Sequence, residues 1–365
     1  MKLVSTLSML LMLLMLLMLL IGCEQQNMLE RKPLAGLIPD DQRYQLAKAG
    51  KIIKFPDDHL PHLSYRHEWW YLTANLHTDT GEVFAAQWTL FRTAVNQRHW
   101  YFAHAALGDI RLHESAFRHG RSEFSNVTIT DKPFSAHIDE WLWQSSADLL
   151  PAKLTFGEQS SWQAELFLTS SLSMPPVLNN SVASSAHFFL QGEQGYSRKH
   201  AKLNIGSHYY SQPFIDVSGR VLWQGQWKNV TGTAWFDREW GSQLLAPDQL
   251  GWDWFSLHLD NDTALMVYRM RSTIQDYSYG SLMYRDGSSK KLSGEEIILT
   301  ATAQGKNYPS QFSVVIESEA IDINLKVVNE SQINRFGIEY FEGMATFSGS
   351  HQGKGFVEMT GYDNE

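Results

Sequence analysis

Three short stretches of this 365-residue chain press carboxylates against tryptophans. They are His67-Glu68-Trp69-Trp70-Tyr71, Trp235-Phe236-Asp237-Arg238-Glu239-Trp240-Gly241, and Gly251-Trp252-Asp253-Trp254-Phe255. A carboxyl beside apolar rings resists ionising, because burial disfavours its charged form. Acids held that way near neutral pH are what general acid–base catalysis needs. Glu68, Asp237, Glu239 and Asp253 are therefore the candidate acids and bases, with Trp69, Trp70, Trp240, Trp252 and Trp254 as pocket walls. His59 is a candidate to orient one of the acids. A plainer reading stands beside this one. Tryptophans build cores, and Arg66 or Arg238 can hold Glu68 or Asp237 in fixed ion pairs.

Spacing limits which groups meet. Residues i and i+2 of a strand share a face. Asp237 and Glu239 should then point together and Arg238 away, and Trp252 and Trp254 should share a face opposite Asp253. Cys23 is the single cysteine and no Gly-x-Ser-x-Gly elbow occurs, so hydrolysis would have to run through a carboxylate and water. His59 and His62 lie three apart, with His67 and His104 as further nitrogen donors. Such pairs are usually incidental and no cysteine joins them, so neither metal nor cofactor is assigned.

The elements that must position these groups read as all-β. Trp70 to Leu76 and Val83 to Arg92 flank an Asp79-Thr80-Gly81 turn as a hairpin. Further strands are expected at 100–110, 135–143, 154–156, 162–168, 221–227 and 232–236, with a loop at Pro175-Pro176-Val177-Leu178-Asn179-Asn180. After Trp252 the pattern resumes at 254–259, 265–271, 281–285, 297–301, 311–317, 321–328, 343–348 and 355–359. Only 42–49 and 115–117 carry any helical signal. Many short, evenly spaced strands point to β-barrels or sandwiches. An echo links the halves: Trp70-Tyr71-Leu72 and Trp254-Phe255-Ser256 each open a hairpin, and the second strands end at Arg92 and Arg271. The expected division is a segment 51–242 followed by a segment 243–365.

Residues 1–22 hold Lys2 and a Leu/Met run to Ile21, as a secretory signal does. They end in Leu20-Ile21-Gly22-Cys23, which resembles a bacterial lipobox and implies cleavage before Cys23 and lipidation of its thiol. Residues 23–50 then read as a tether. Glu24 resembles the residue that releases Gram-negative lipoproteins from the inner membrane, so the periplasmic face of the outer membrane is the expected address. Hydrophobic residues at 43%, charged residues at 19% and 13 tryptophans describe a globular, aromatic-rich chain. A net charge of −9 with no basic stripe argues against nucleic acid.

Phe55-Pro56-Asp57-Asp58-His59 followed by Glu68-Trp69-Trp70-Tyr71 resembles the AttH-like and carotenoid 1,2-hydratase family of lipocalin-like proteins. Ala103-His104-Ala105-Ala106-Leu107, Asp237-Arg238-Glu239-Trp240-Gly241, Trp252-Asp253-Trp254-Phe255, and Gly353 to Tyr362 match it in the same order, over about residues 52 to 362. The resemblance implies two consecutive lipocalin-like β-barrel domains, with the motifs near their interface and Tyr362 among the ligand-binding residues. It also implies an exported protein that takes a hydrophobic small molecule or lipid and, in some members, accompanies an ABC transporter permease. Members are labelled hydrolases, and relatives include hydratases and pericyclases. Hydrating an isolated alkene requires a protonated acid, aromatic faces to shelter a carbocation, and a base for the attacking water. Carotenoid hydratases carry His-rich variants where Arg238 and Glu239 flank the acid here. A carrier without turnover and a structural envelope protein are the non-enzymatic alternatives.

Overall fold

The structure, a computed structural model, describes residues 44–121, 125–172, 188–243, 245–336 and 338–362. Cys23, the signal-like segment, most of the tether and the loop at 175–180 lie outside the described residues. Within them the chain is all-β apart from 3-10 turns at Asp57–His59 and Glu317–Glu319.

Two sheets carry the fold. The first contains β1 (His67–His77), β2 (Val83–Val95), β3 (Arg98–Gly108), β4 (His113–Arg121), β5 (Val127–Asp131), β6 (Phe134–Ile138), β7 (Trp141–Ser145), β8 (Ala152–Glu158), β9 (Trp162–Ser170), β10 (Phe189–Leu190), β11 (Tyr196–Arg198), β12 (Gly206–Trp223) and β13 (Gln226–Gly241). Its order is β4-β3-β2-β1-β13-β12-β9-β8-β7-β6-β5, with β10 and β11 also on β12. The sheet curls until β4 touches β6 and β8, which closes a lipocalin-like interior.

The second sheet contains β14 (Gln249–His258), β15 (Thr263–Ser272), β16 (Tyr277–Tyr284), β17 (Ser289–Ser293), β18 (Ile298–Gln304), β19 (Pro309–Ile316), β20 (Ile321–Val327), β21 (Ile333–Phe336), β22 (Ile338–Gly349) and β23 (Gly353–Thr360). Its order is β17-β16-β15-β14-β23-β22-β20-β19-β18, with β21 on β22. Each sheet wraps its own apolar core, and a third aromatic and methionine-rich cluster lies between the two.

Pleat alternation builds this arrangement. Along β1, Trp70, Leu72, Ala74 and Leu76 enter the first interior, while Tyr71 turns to the second sheet with Trp69 packed beside it. Along β13, Ala234, Phe236 and Trp240 face inward and Trp235 faces the second sheet. β1 is buried on both faces along nearly its whole length and β13 over its second half, so their polar residues, Glu68 on β1 and Asp237, Arg238 and Glu239 on β13, must find partners inside. Gly232 is required where β13 crosses β1, since a Cβ there would fall on the Asn75 carbonyl oxygen.

Four expectations about elements need correction. Residues 115–117 belong to β4, because pairing with β3 overrides a weak helical signal. Residues 44–48 run without helix, pinned where Gln97 N–H donates to the Tyr44 hydroxyl at 3.0 Å and Gln45 N–H to the Ser64 carbonyl at 2.8 Å. The expected strand 135–143 is two strands turning at Asp139, which has φ 50°. The expected strand 221–227 spans the β12–β13 hairpin turn at Gln224-Gly225.

Candidate functional site

The four candidate acids do not converge; alternation sends them to three places. Glu68 lies in the first interior and is fully buried. It is directly opposite Arg92 on β2 and diagonal to Arg238 on β13, and it forms ion pairs with both. The His62 backbone N–H donates to its two oxygens at 3.0 and 2.9 Å, and His62 Nδ1 lies 3.1 Å from Oε2. Burial opposes its charge, but Arg238, the His62 hydrogen bond and Arg92 outweigh burial and hold the carboxyl well below the usual range. The expectation of a protonated acid is therefore wrong for Glu68: the carboxylate is the anion of a buried clamp. Arg92, not Arg66, is its second partner.

His62 continues this network. Its Nε2 lies 2.7 Å from Asp58, and its ring stacks on Trp240 at 3.9 Å. Burial works against the Asp58 charge, yet the His62 hydrogen bond and the Lys54 N–H bring its pKa down to about 2. Trp70 donates to the His59 carbonyl at 2.8 Å and lies under the Arg238 guanidinium at 3.8 Å. His59 does not orient an acid; its Nδ1 meets the Tyr210 hydroxyl at 2.6 Å among Phe55, Phe134 and Phe188. Burial, with Arg238 nearby, pushes the His59 pKa down to about 3, so the ring is neutral. His59 and His62 thus turn to different partners, and no cluster of three or more His, Cys, Asp or Glu around a common centre occurs among the described residues.

Asp253 occupies the second interior, fully buried. It faces Arg269, its register partner on β15, with Nε and Nη2 at 2.8 and 2.7 Å, and Arg271 Nε is 3.6 Å away. Gly361, with φ 73°, turns the chain so that the Tyr362 hydroxyl donates to Asp253 at 2.8 Å. Arg271 lies over the Tyr362 ring at 3.7 Å. Asp253 therefore forms a second ion-pair clamp with Arg269 and Arg271, braced by the Tyr362 hydroxyl and set apart from the tryptophans. Arg269, two residues before the Arg271 of the sequence echo, occupies the place opposite the acid that Arg92 holds in the first sheet.

Asp237 and Glu239 do share a face, the one turned to the second sheet. Glu239 pairs with Lys199 at 2.9 Å and accepts a hydrogen bond from Ser207. Asp237 is different. It is buried, and among the described residues no cation lies within ion-pair distance. Oδ1 accepts hydrogen bonds from Ser211 and, at 3.0 Å, from Trp235 Nε1. Burial outweighs these bonds and the nearby Tyr209 hydroxyl, and with Glu239 adding repulsion the pKa rises to about 7. The surrounding wall is aromatic. Trp235 meets Trp254 edge to face at 6.1 Å, Trp254 meets Tyr71 at 5.4 Å, and Trp254 Nε1 donates to Tyr209 at 3.2 Å. Trp69 and Trp252 are half-buried at the same face.

Two acids absent from the sequence-derived set complete this face. Glu342 on β22 and Glu358 on β23 are register partners. Trp252 Nε1 donates to Glu358 at 2.6 Å, and Asn334 Nδ2 to Glu342 at 3.2 Å. Burial lifts the Glu358 pKa to about 7 against the pull of Trp252, and burial plus Glu358 lifts Glu342 well above the usual range. Their signal was in the sequence: Tyr340-Phe341-Glu342-Gly343-Met344 and Phe356-Val357-Glu358-Met359 each insert one acid into an apolar strand. The arrangement supports proton transfer in an aromatic enclosure.

Comparison with known proteins agrees with this fold. A crystal structure of an AttH protein from Nitrosomonas europaea is 29% identical, with a TM-score of 0.75, over 87% of this chain and 99% of that one. Kievitone hydratase from Nectria haematococca is 15% identical, with a TM-score of 0.64, over 89% and 98% of the two chains. CghA, solved with Sch210972, is 12% identical, with a TM-score of 0.51, over 89% and 97%. At these identities the last two share the fold alone. None of the curated proteins compared matches the sequence. The family model described as AttH-like matches residues 46–362, and the chain belongs to that family.

Proposed function

We propose that the protein binds a hydrophobic, lipid or isoprenoid-like molecule between its two sheets and hydrates a carbon–carbon double bond in it, with Asp237 as the acid. The observation that carries this reading is Asp237 itself, a buried carboxyl with no cation in ion-pair distance among the described residues, poised near pH 7 beside Trp235, Trp254 and Tyr71. An acid with a pKa near the working pH is best placed to give and regain a proton. The likeness in fold to a protein named a hydratase is consistent with it. The clamps at Glu68 and Asp253 then serve to hold the two sheets in shape. On the Leu20-Ile21-Gly22-Cys23 motif, we propose that the chain is exported and lipid-anchored at Cys23 on the periplasmic face of the outer membrane, with an ABC transporter permease as a partner.

The test is native mass spectrometry with lipid extraction on the detergent-solubilised full chain and on Asp237→Asn, in isotopically labelled water. Labelled product from the wild type and unchanged ligand retained by Asp237→Asn is the expected result. Ligand unchanged in both proteins would make the chain a carrier, and ligand in neither would leave only a structural role. A lipid mass increment lost in Cys23→Ser tests the anchor.

A further inference from the structure

Glu342, buried, and Glu358, half-buried, are titratable groups for which an acid at Asp237 alone has no use. Their placement is continuous with it, one neighbour at a time. Asp237 on β13 is directly opposite Tyr71 on β1. Directly opposed side chains on one sheet face lie about 5 Å apart at Cβ. The Tyr71 ring touches Trp254, and Trp254 on β14 is directly opposite Glu358 on β23. Glu358 is in turn directly opposite Glu342. The Tyr71 hydroxyl interacts with both carboxyls and the Tyr340 hydroxyl with Glu342, and among the described residues no cation lies within ion-pair distance of either carboxyl. A carboxyl pair whose hydrogen-bond partners are all neutral is a place where a cation is accepted. Glu358, Trp69 and Trp252 are half-buried, so the wall reaches solvent on this side.

We propose that the Glu342–Glu358 pair is the counter-ion and proton acceptor for a cationic centre that forms on the substrate when Asp237 gives up its proton. This rests on the reading of Asp237 as the acid and adds the second half of the reaction. Two carboxyls in one buried site do not both ionise readily, so the pair carries one shared proton and one negative charge. Asp237 transfers its proton to one alkene carbon, using the π electrons to form the C–H bond, and the other carbon becomes cationic. Trp254, Tyr71 and the negative pair face that centre. A solvent water adds through its oxygen and gives its proton to the pair. The pair, now doubly protonated, returns a proton to Asp237 through Tyr71 or water. The sum is addition of one water, with every carboxyl restored. The substrate class follows: an apolar alkene whose cation is stabilised by substitution.

A carbocation mimic tests the pair without knowledge of the natural substrate. The probes are N,N-dimethyldodecylamine, cationic at neutral pH, and its neutral hydrocarbon isostere, bound to the full chain and followed by native mass spectrometry. The wild type should prefer the amine by roughly tenfold, as a desolvated cation among rings and a carboxylate does. Glu342→Gln with Glu358→Gln should bind both probes equally. The exposed Glu140→Gln serves as a control for adventitious amine binding and should keep the preference. Circular dichroism should show each variant folded. Equal binding of both probes by the wild type would overturn the inference and leave the apolar site standing. A preference that survives the double change, or is lost only in Asp237→Asn, would also overturn it. Binding of neither probe would overturn the apolar site and the inference together.

Discussion

Replacing Asp237 by Asn should stabilise the protein, and only above a definable pH. The folded chain holds the Asp237 proton up to about pH 7, whereas an unfolded aspartate loses it near pH 4. Between these values the native state binds more protons than the unfolded one, so wild-type stability falls as pH rises. Roughly three pKa units at 1.36 kcal/mol each give a loss of about 4 kcal/mol across that window. Below about pH 4 both states are protonated and above about pH 7 both are ionised, so this contribution is level outside it. Asparagine does not ionise. Its Oδ1 can accept the same two bonds, from Ser211 and Trp235, because both already go to Asp237 Oδ1. The variant should match the wild type near pH 4 and exceed it by up to about 4 kcal/mol near pH 8. Urea unfolding of both proteins at several pH values measures this directly. Parallel stability curves for the two would show that Asp237 is ionised when folded, and the argument for it as an acid would fail.

Glu68→Gln should act in the opposite direction. It leaves Arg92 and Arg238 buried without their anion, a loss of about 3–5 kcal/mol by urea unfolding at neutral pH; a change under about 1 kcal/mol would deny the clamp. Burial keeps His59 neutral down to about pH 3, and His67, His104, His113 and His208 down to about pH 4. The native state therefore binds fewer protons than the unfolded chain as pH falls below about 6.5, and stability should drop. An unfolding midpoint that stays level between about pH 6.5 and about pH 4 in a variant combining Asp237→Asn, Glu342→Gln and Glu358→Gln, free of the opposing carboxyl effects, would contradict this. Tyr362→Phe removes one hydrogen bond to the Asp253 carboxylate and should cost about 1.5–3 kcal/mol while leaving probe binding unchanged; weaker binding would return Tyr362 to the ligand site.

Alternation was enough to read part of the site. It placed Asp237 with Glu239, turned Arg238 away, and separated Asp253 from Trp252 and Trp254, because a strand's side chains follow its pleat wherever the strand lies. Register was not readable. That Arg92 stands opposite Glu68, or Arg269 opposite Asp253, depends on where each hairpin turns. A shift of two residues, from Arg271 to Arg269, preserves the face and leaves no trace in composition. Burial against tryptophan likewise did not decide protonation. Glu68 and Asp237 are both enclosed by aromatics, and the presence or absence of arginine from neighbouring strands separates them. Glu342 has no tryptophan near it in sequence, and the tyrosines that meet it, Tyr71 and Tyr340, come from β1 and its own strand.

The Glu68 clamp ties together three adjacent strands, β2, β1 and β13, by charges that have no solvent to fall back on. A slip of β1 by one residue would turn Glu68 to the opposite face and strand two guanidinium groups in an apolar interior. The same slip would carry Trp70 out of its core and Tyr71 away from the second sheet. Hydrophobic side chains on both faces of β1 would tolerate such an error far better than the charges do. The ion triad therefore fixes the register of the shared wall: a misaligned pairing of β1 leaves buried charges without partners and is disfavoured by electrostatics rather than by packing.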